Sequence, residues 1–178
     1  MSLVTEELRA KAQIYHGDSL GQEKCQFLLK EVGLPNGLLP LKDIIECGHI
    51  EETGFVWLKQ RKKIEHTFRK IGRLVSYAPE ITAYVEQHRI KKLTGVKAKE
   101  LFIWLTLTDI SADGAEEENY SAGKGKITFH SSSGLYRTFP ASAFVIEEDE
   151  QKKKSEAEKK GDNEGKKEAE EVENEEKA

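Results

Sequence analysis

Apolar side chains recur at intervals of three or four residues in two stretches near the start of the chain. The first stretch contains Val4, Leu8, Ala12 and Tyr15, and the second contains Cys25, Leu28, Leu29 and Val32. This spacing predicts two short amphipathic helices, with Asp18 or Ser19 as the N-cap of the second. Gly33 and Pro35 follow the last apolar position. The second helix is therefore expected to end there, because glycine tolerates left-handed geometry and proline cannot continue a helix.

From Asp43 onward the pattern changes to short runs of β-branched and aromatic residues separated by glycine, proline and charged turns. Such runs at hairpin spacing predict antiparallel strands. The predicted strands are 43–50, 55–60, 64–68, 73–78, 81–92, 101–110, 125–130, 135–139 and 142–147. They predict a mainly β fold, an antiparallel β-barrel or sandwich preceded by one or two short helices. Strand 101–110 begins with consecutive apolar residues, which predicts burial on both faces at the centre of the fold.

The composition changes near residue 147. Residues 147–178 contain 14 acidic and 8 basic side chains, and their only apolar side chains are three alanines and one valine. Such a segment cannot bury enough surface to offset the entropy of ordering, so it is predicted to be disordered. The predicted organisation is a helical segment over 1–32, a β-barrel or sandwich core over 33–147 and a disordered charged tail over 148–178.

The first residues lack the basic and apolar stretches of a secretory signal, and no run of about 18 uncharged apolar residues is present to span a bilayer. These features predict a cytoplasmic protein, either free or peripheral to membranes. The two cysteines, Cys25 and Cys47, agree with a reducing compartment, and a disulfide between them is the alternative. Cys25 lies on the apolar stripe of its helix, which predicts a buried side chain rather than a reactive thiolate.

Three stretches carry a recognisable set of residues. They are Gly33 to Leu41, Leu93 to Leu101 leading into Trp104, and Thr138 to Phe144. Together they resemble the plant domain-of-unknown-function family 538 over residues 24–146. The stretches 38–43 and 57–60 are similar to the subgroup that includes the trichome-branching protein Smaller with Variable Branches.

The resemblance implies a compact β-barrel or sandwich preceded by a helix. It also implies a role in stress response or development, including trichome development, and a similarity to lipid-binding modules of the bactericidal/permeability-increasing type. No catalytic residue is established for the family, so the resemblance assigns none here. The shared residues are turn formers and hydrophobic anchors, and they indicate ancestry rather than a reaction.

The segment Gly17-Asp18-Ser19-Leu20-Gly21 matches the Gly-x-Ser-x-Gly pattern of hydrolase nucleophiles. Such a nucleophile sits on a turn between a strand and a helix, whereas Ser19 lies between two predicted helices. An Asp-x-x-His sequence, which often supplies its partners, does not occur in the chain. We therefore predict an interhelical turn in which Ser19 caps the second helix, and we assign no catalytic residue.

Metal ligation is not predicted. The five histidines, at positions 16, 49, 66, 88 and 130, are dispersed, and Cys47 with His49 offers two ligands where zinc requires three or four. No cofactor is predicted either. Both tryptophans are expected to fill the core, and Trp57 is the better candidate for the wall of a binding pocket.

Basic residues are concentrated in the middle of the chain, where residues 59–99 contain 12 lysines and arginines against three glutamates. The predicted ligand-binding residues are Lys59, Arg61, Lys62, Lys63, Arg69, Lys70, Arg73, Arg89, Lys91 and Lys92. If adjacent hairpins bring them together, they form a cationic face suited to lipid phosphates or another anionic partner. The alternative is a solvated set of charges that prevents strand aggregation. Nucleic acid is not predicted, because the segment lacks interleaved exposed aromatic residues.

Three functions from different classes follow. The first is a non-enzymatic module that binds an amphiphile or an anionic lipid surface. The second is a weak esterase, and the third is a protein-interaction adaptor. An apolar pocket favours the first function, a converging serine, histidine and carboxylate favour the second, and a flat exposed apolar patch favours the third.

Overall fold

Antiparallel strands and two helices make up most of the chain in a computed structural model that describes residues 2–113, 120 and 123–146. The helices are α1 (Glu6–Lys11) and α2 (Asp18–Glu31). The strands are β1 (Gln13–His16), β2 (Ile44–Ile50), β3 (Phe55–Gln60), β4 (Ile64–Phe68), β5 (Arg73–Glu86), β6 (Arg89–Glu100), β7 (Ile103–Asp113), β8 (Lys126–Ser131) and β9 (Tyr136–Pro140). A short 3₁₀ helix, Ala141–Phe144, follows. The predicted tail, 148–178, lies outside the described residues.

The strands form one antiparallel sheet in the order β1-β2-β3-β5-β6-β7-β8-β9, and β4 pairs with β5 beside this path. Within the described ranges β1 does not pair with β9, so the sheet is open. The prediction of a mainly antiparallel β fold with helices near the N-terminus is confirmed. The chain divides into two units between Val145 and Ile146, and every helix and strand described belongs to the first.

The hairpin formed by β5 and β6 is long and bent. Strand β4 pairs with the first part of β5, over residues 73–77, and β3 pairs with the later part, over residues 80–84. The pairing of β5 with β6 shifts register between these two parts. Gly95 lies at this shift with a φ of 82°, and a Cβ there would stand 2.4 Å from the carbonyl oxygen of Glu80. The bend therefore depends on a glycine that allows two backbones to come close together.

The core lies inside the curled sheet. Helix α2 and the segment 33–41 cover this inner face, and the segment contributes Leu34, Leu38 and Leu41, each at most 4% exposed. The hydroxyl of Tyr77 donates a hydrogen bond of 3.1 Å to the carbonyl of Leu38. The Gly-Leu-Pro stretch noted in the sequence thus forms an apolar plug, which packs its leucines into the core and is hydrogen-bonded to β5 through Tyr77.

A second apolar cluster lies on the outer face of β2 and β3. It consists of Ile50, Phe55 and Trp57, covered by apolar side chains of the N-terminal segment. Trp57 is fully buried there, and Gly48 is its direct cross-strand partner. A Cβ at Gly48 would lie 2.1 Å from the indole ring. The missing side chain at this position therefore makes room for the tryptophan.

Glu46 connects α1 to this outer cluster. Its carboxylate accepts hydrogen bonds of 2.5 and 3.1 Å from Arg9 and one of 2.9 Å from the indole nitrogen of Trp57. The hydrogen bonding from Arg9 is the main cause that lowers the pKa of Glu46 to about 2, and Trp57 adds to it against the opposing effect of burial. The carboxylate therefore remains ionised and fully partnered beneath the helix.

Two predictions near the N-terminus were wrong. Residues Gln13–His16 form β1 instead of continuing the first helix, because they pair with residues 46–49 of β2 and this pairing overrides the helical apolar spacing. The N-cap of α2 is Gly17, with a φ of 92°, rather than Asp18 or Ser19. Asp18 lies in the first turn and accepts a 2.9 Å hydrogen bond from the backbone N–H of Ile44.

Further corrections concern the later strands. The predicted strands 73–78 and 81–92 are replaced by the long β5 and by β6, with the turn at residues 87–88, because the chain passes through Pro79 without reversing. The start of predicted strand 101–110 is not buried on both faces; it is the exposed end of a hairpin. Of the predicted strand 142–147, the first three residues instead belong to the 3₁₀ helix, and residue 147 lies outside the described residues. Phe144 of this helix packs against three other phenylalanines.

We expect Gly95→Ala to destabilise the fold by more than about 3 kcal/mol, because the new Cβ meets a carbonyl oxygen in addition to requiring a left-handed φ. Gly72→Ala is the matched control. Gly72 also has a positive φ, of 61°, but nothing lies within 4 Å of its Cβ position, so we expect a cost of about 1 kcal/mol. Urea unfolding measures both, and equal losses would contradict the role given to Gly95.

We expect Glu46→Gln to lower the free energy of unfolding by about 1 to 3 kcal/mol at neutral pH. The pKa of Glu46 is lowered from 4.5 to about 2 in the folded protein, so the stabilisation is present above pH 4.5 and is lost as the pH falls towards 2. Urea unfolding at several pH values, followed by Trp57 fluorescence in a Trp104→Phe background, measures this. The control is Glu65→Gln at an exposed ion pair with Lys63, where we expect about 0.5 kcal/mol or less. Equal losses of stability in the two variants at neutral pH would refute the stabilising role given to the Glu46 carboxylate.

Candidate ligand cavity between helix and sheet

A cavity of about 450 Å³ lies between α2 and the inner face of the sheet. Its walls come from α2, from β1, β2, β3, β5 and β6, and from Leu39 of the segment 33–41. The volume falls within the range of small-molecule sites in proteins. A second cavity near the β6–β7 and β8–β9 hairpins has a volume of only about 40 Å³, which suits little more than a water molecule.

The larger cavity is lined by apolar side chains at its bottom and by polar and charged side chains at its rim. The deep wall is apolar and includes Leu28, Val32, Val56, Leu58, Ala83 and Leu93. Polar and charged side chains border it as well, among them Gln13, Lys24, Glu31, His49, Glu51 and Gln87. Gln13, Glu31, Glu51 and Gln87 are exposed, whereas the apolar wall is buried or half-buried. This distribution suits a ligand with an apolar body and a polar head.

Helix α2 forms one side of the cavity because its apolar stripe faces the sheet. Leu29 and Cys25 are buried against the core, and Leu28 and Val32 are half-buried beside them. The stripe was recognised in the sequence as the reason for a helix. Of its neighbours on the strands, the sequence analysis named only Trp57 as a pocket residue, since the others are distributed from Gln13 to Leu93 and only the folded sheet brings them together.

Both cysteines border this cavity as free thiols. Burial, with a smaller contribution from the neighbouring Cys47, raises the pKa of Cys25 to about 12. Burial also raises the pKa of Cys47. Both therefore remain protonated at neutral pH, where thiols of this kind act as small apolar groups rather than nucleophiles.

Ser19 lies after a strand and within a helix, so the expected position between two helices was wrong. It lies in the first turn of α2 and is exposed, and the left-handed φ of this connection belongs to Gly17 instead. A nucleophile elbow requires the strained turn at the serine itself, with a histidine to activate it. Within the described ranges, no hydrogen bond joins Ser19 to a histidine.

The two tryptophans occupy different environments. Trp57 is fully buried as predicted; it borders the cavity, although its ring belongs to the outer cluster. Trp104 was expected in the core, but it is 38% exposed. It lies next to the β6–β7 turn, where the Nζ atom of Lys99 stands 5.8 Å from its ring centroid.

The ten basic residues expected to bind an anionic ligand lie in three groups. Lys59, Arg61, Lys62 and Lys63 lie at the β3–β4 connection, Arg69, Lys70 and Arg73 lie at the β4–β5 turn, and Arg89, Lys91 and Lys92 lie at the start of β6. The connections before and after β4 stand at opposite ends of that strand. The sheet therefore does not gather all ten residues at one turn.

Half of these basic side chains form ion pairs with acidic residues in the described part of the chain. The pairs are Lys59 with Glu80 at 3.9 Å, Lys63 with Glu65 at 3.6 Å, Arg73 with Glu100 at 2.8 Å, Arg89 with Asp109 at 3.4 Å and Lys91 with Glu86 at 2.8 Å. Each pair reduces the charge that its cation presents to solvent. Binding of an anionic ligand by these residues stays a prediction.

Among the described residues no group of three or more histidine, cysteine, aspartate or glutamate side chains is arranged to hold a metal ion. The same part of the chain contains no helix that is both long and apolar enough to cross a membrane.

The fold and cavity define a class of antiparallel β protein in which a helix and an apolar plug cover the inside of a curled sheet. A family model described as "Protein of unknown function, DUF538" matches residues 25–145. The chain therefore belongs to this family, which confirms the resemblance found in the motifs; the assignment to the Smaller with Variable Branches subgroup stays a prediction. No curated protein and no solved structure matches the chain.

We expect Ser19→Ala to change the free energy of unfolding by less than about 0.5 kcal/mol, because the side chain is exposed and does not cap α2. We also expect no change in any hydrolysis of nitrophenyl esters by the purified protein. Thermal unfolding and an ester-hydrolysis assay measure the two effects. A folded variant that has lost a hydrolytic activity present in the wild type would instead support the esterase function.

Proposed function

We propose that this protein is a non-enzymatic module that binds an amphiphile in the cavity under α2 and contacts an anionic lipid surface. The observation that supports it is the cavity itself, with an apolar wall and a polar rim. Apolar surface within a pocket of this volume provides most of the binding free energy for a hydrophobic ligand, and polar groups at the rim fix its orientation.

The rim bears charges of both signs. Lys24 lies there together with Glu31 and Glu51. An acyl chain or a ring system with a zwitterionic or hydrogen-bonding head therefore fits better than a multiply charged anion, which the two glutamates would repel. Contact with an anionic lipid surface must accordingly come from another part of the molecule.

An enzymatic function has less support. Ser19 has neither the backbone geometry nor the histidine partner of a hydrolase nucleophile within the described ranges, and both cysteines have raised pKa values. The second candidate is a protein-interaction adaptor, favoured by the exposed side chains of Leu101 and Phe102 at the β6–β7 turn.

We place this binding in the cytoplasm, peripheral to membranes, as the sequence predicts. The family resemblance adds the proposal that it serves stress response or development in a plant. Mass spectrometry of the lipids and pigments that copurify with natively expressed protein identifies the ligand. A bound amphiphile in stoichiometric amount is the expected result.

We expect Leu28→Trp to weaken the binding of cis-parinaric acid, a fluorescent fatty acid, by more than about tenfold, because the larger side chain fills part of the cavity. Leu20→Trp is the matched control, since Leu20 lies on the same helix, is exposed and does not line the cavity. Fluorescence titration measures both affinities, and thermal unfolding verifies that both variants fold. Equal affinities in the two folded variants would move the binding site away from this cavity.

A further inference from the structure

Three hairpin turns meet at one end of the sheet. The β4–β5 turn lies beside the β6–β7 turn, because β5 begins where β6 ends, and Arg73 forms its ion pair there with Glu100. The β8–β9 turn lies beside β7, where the N–H of Ser132 donates a 2.9 Å hydrogen bond to the carbonyl of Thr106. Arg137 of β9 also reaches Glu100, at 3.3 Å. We call residues 69–73, 97–105 and 132–137 the three-turn end.

Exposed apolar side chains are concentrated at this end. Among the described residues ten large apolar side chains are exposed, and six of them lie at the three-turn end. These six are Leu101 at 80%, Phe102 at 96%, Ile103 at 56%, Trp104 at 38%, Leu135 at 44% and Tyr136 at 62%. The first four are consecutive and form the tip of the β6–β7 hairpin. A patch of this kind on a folded protein indicates an interaction site.

The backbone at the tip shows that folding alone does not explain these residues. Glu100 pairs with Ile103, so Leu101 and Phe102 form a two-residue turn. Leu101 has a φ of 55°, in the left-handed region that glycine, asparagine and aspartate adopt at less cost. A large apolar residue at a strained and almost fully exposed position contributes little to folding stability. Its contribution is therefore expected in a contact with something outside the chain.

The charge at this end is strongly positive. The three-turn end contains six basic residues, Arg69, Lys70, Arg73, Lys97, Lys99 and Arg137, and one acidic residue, Glu100. Glu100 is already bound to Arg73 and Arg137. Lys97 and Lys99 are exposed on the same face of β6 as the cross-strand Trp104. Apolar side chains therefore project from a basic surface with a local charge of +5.

We propose that the three-turn end docks on an anionic lipid bilayer. Leu101 and Phe102 enter the interface between headgroups and acyl chains, and the surrounding lysines and arginines contact the lipid phosphates. Trp104 and Tyr136 lie where the boundary between water and lipid falls, which is the preferred environment of these side chains. The inference rests on the proposed contact with a lipid surface and does not depend on the occupant of the cavity.

A bilayer fits this surface better than a protein does. Protein interfaces are depleted of lysine, and their apolar centre faces a complementary surface. Here the apolar residues protrude on a hairpin tip, and the charges around them are positive except for Glu100, which is paired with Arg73 and Arg137. A fluid bilayer with anionic headgroups accepts a protruding tip without a preformed pocket, and it complements the positive charge.

The first experiment is cosedimentation of the full chain with vesicles of phosphatidylcholine and phosphatidylserine. We expect the double variant Leu101→Gly, Phe102→Asn to bind at least about tenfold more weakly than the wild type. Its thermal midpoint should be no lower, since glycine and asparagine suit this turn. The control Ile45→Asn removes an apolar side chain that is 50% exposed on β2, and its binding should be unchanged. Equal binding by the tip variant and the wild type would overturn the inference.

The second experiment compares matched charge reversals at two turns. We expect Arg69→Glu with Lys70→Glu to reduce vesicle binding by more than about tenfold. Arg61→Glu with Lys62→Glu makes the same chemical change at the β3–β4 connection, outside the three-turn end, and should have a smaller effect. Binding should also decrease as salt increases and be weaker on vesicles of phosphatidylcholine alone. Equal losses for the two double variants would show that net charge, rather than this end of the sheet, drives the association.

Tryptophan fluorescence tests the contact directly. Trp104 is partly exposed whereas Trp57 is fully buried, so insertion should change the emission of Trp104 alone. We expect a blue shift with anionic vesicles, quenching by brominated lipid, and loss of both signals in Trp104→Phe. A wild type that ignores vesicles at low salt would overturn both this inference and the proposed lipid contact, and would favour a protein partner. Vesicle binding without any change at Trp104 would overturn only the inference.

Discussion

The bend in the β5–β6 hairpin is the constraint on which the rest of the structure depends. At Gly95 the two backbones approach so closely that no side chain fits, and the register of the pairing shifts there. Because β5 turns at this point, one part of it pairs with β4 and the other with β3. The sheet can then curl around a single core. The end of β5 and the start of β6 line the cavity, whereas the start of β5 and the end of β6 belong to the three-turn end.

The wall formed by β2 and β3 is covered on both faces. On the inner face Cys47, Val56 and Leu58 border the cavity. On the outer face the ring of Trp57 lies over Gly48 beneath the N-terminal segment, and Glu46 is hydrogen-bonded to both Arg9 and the indole. A strand pair packed from both sides has little freedom to deform. The outer cluster thus supports the cavity wall without taking part in binding, as a rigid scaffold does for a ligand site.

The residues that identify the family have structural roles in this chain. Leu34 and Leu38 fill the core, Gly95 permits the bend, and Phe144 packs beneath the sheet. These four residues shape the cavity and the sheet, and none of them is an acid, a base or a nucleophile. Membership of the family therefore indicates a common architecture. The features on which the proposed function rests, the apolar cavity and the basic apolar tip, combine residues of these stretches, such as Leu93, Lys99 and Leu101, with residues from other parts of the chain.

The sequence by itself determined the strands 44–50, 55–60 and 64–68 to within a residue, because local runs of β-branched and aromatic residues between turn formers specify them. It also indicated α2 and the burial of Cys25, since the apolar stripe of an amphipathic helix packs against the core and Cys25 lies on that stripe. Only the tertiary structure decided the conformation of the N-terminal segment and the exposure of the β6–β7 turn. Gln13–His16 form a strand rather than the predicted helix because they pair with β2. The register of the β6–β7 hairpin places Leu101 and Trp104 at an exposed tip. The cavity also depends on contacts between residues far apart in sequence, which no local pattern encodes.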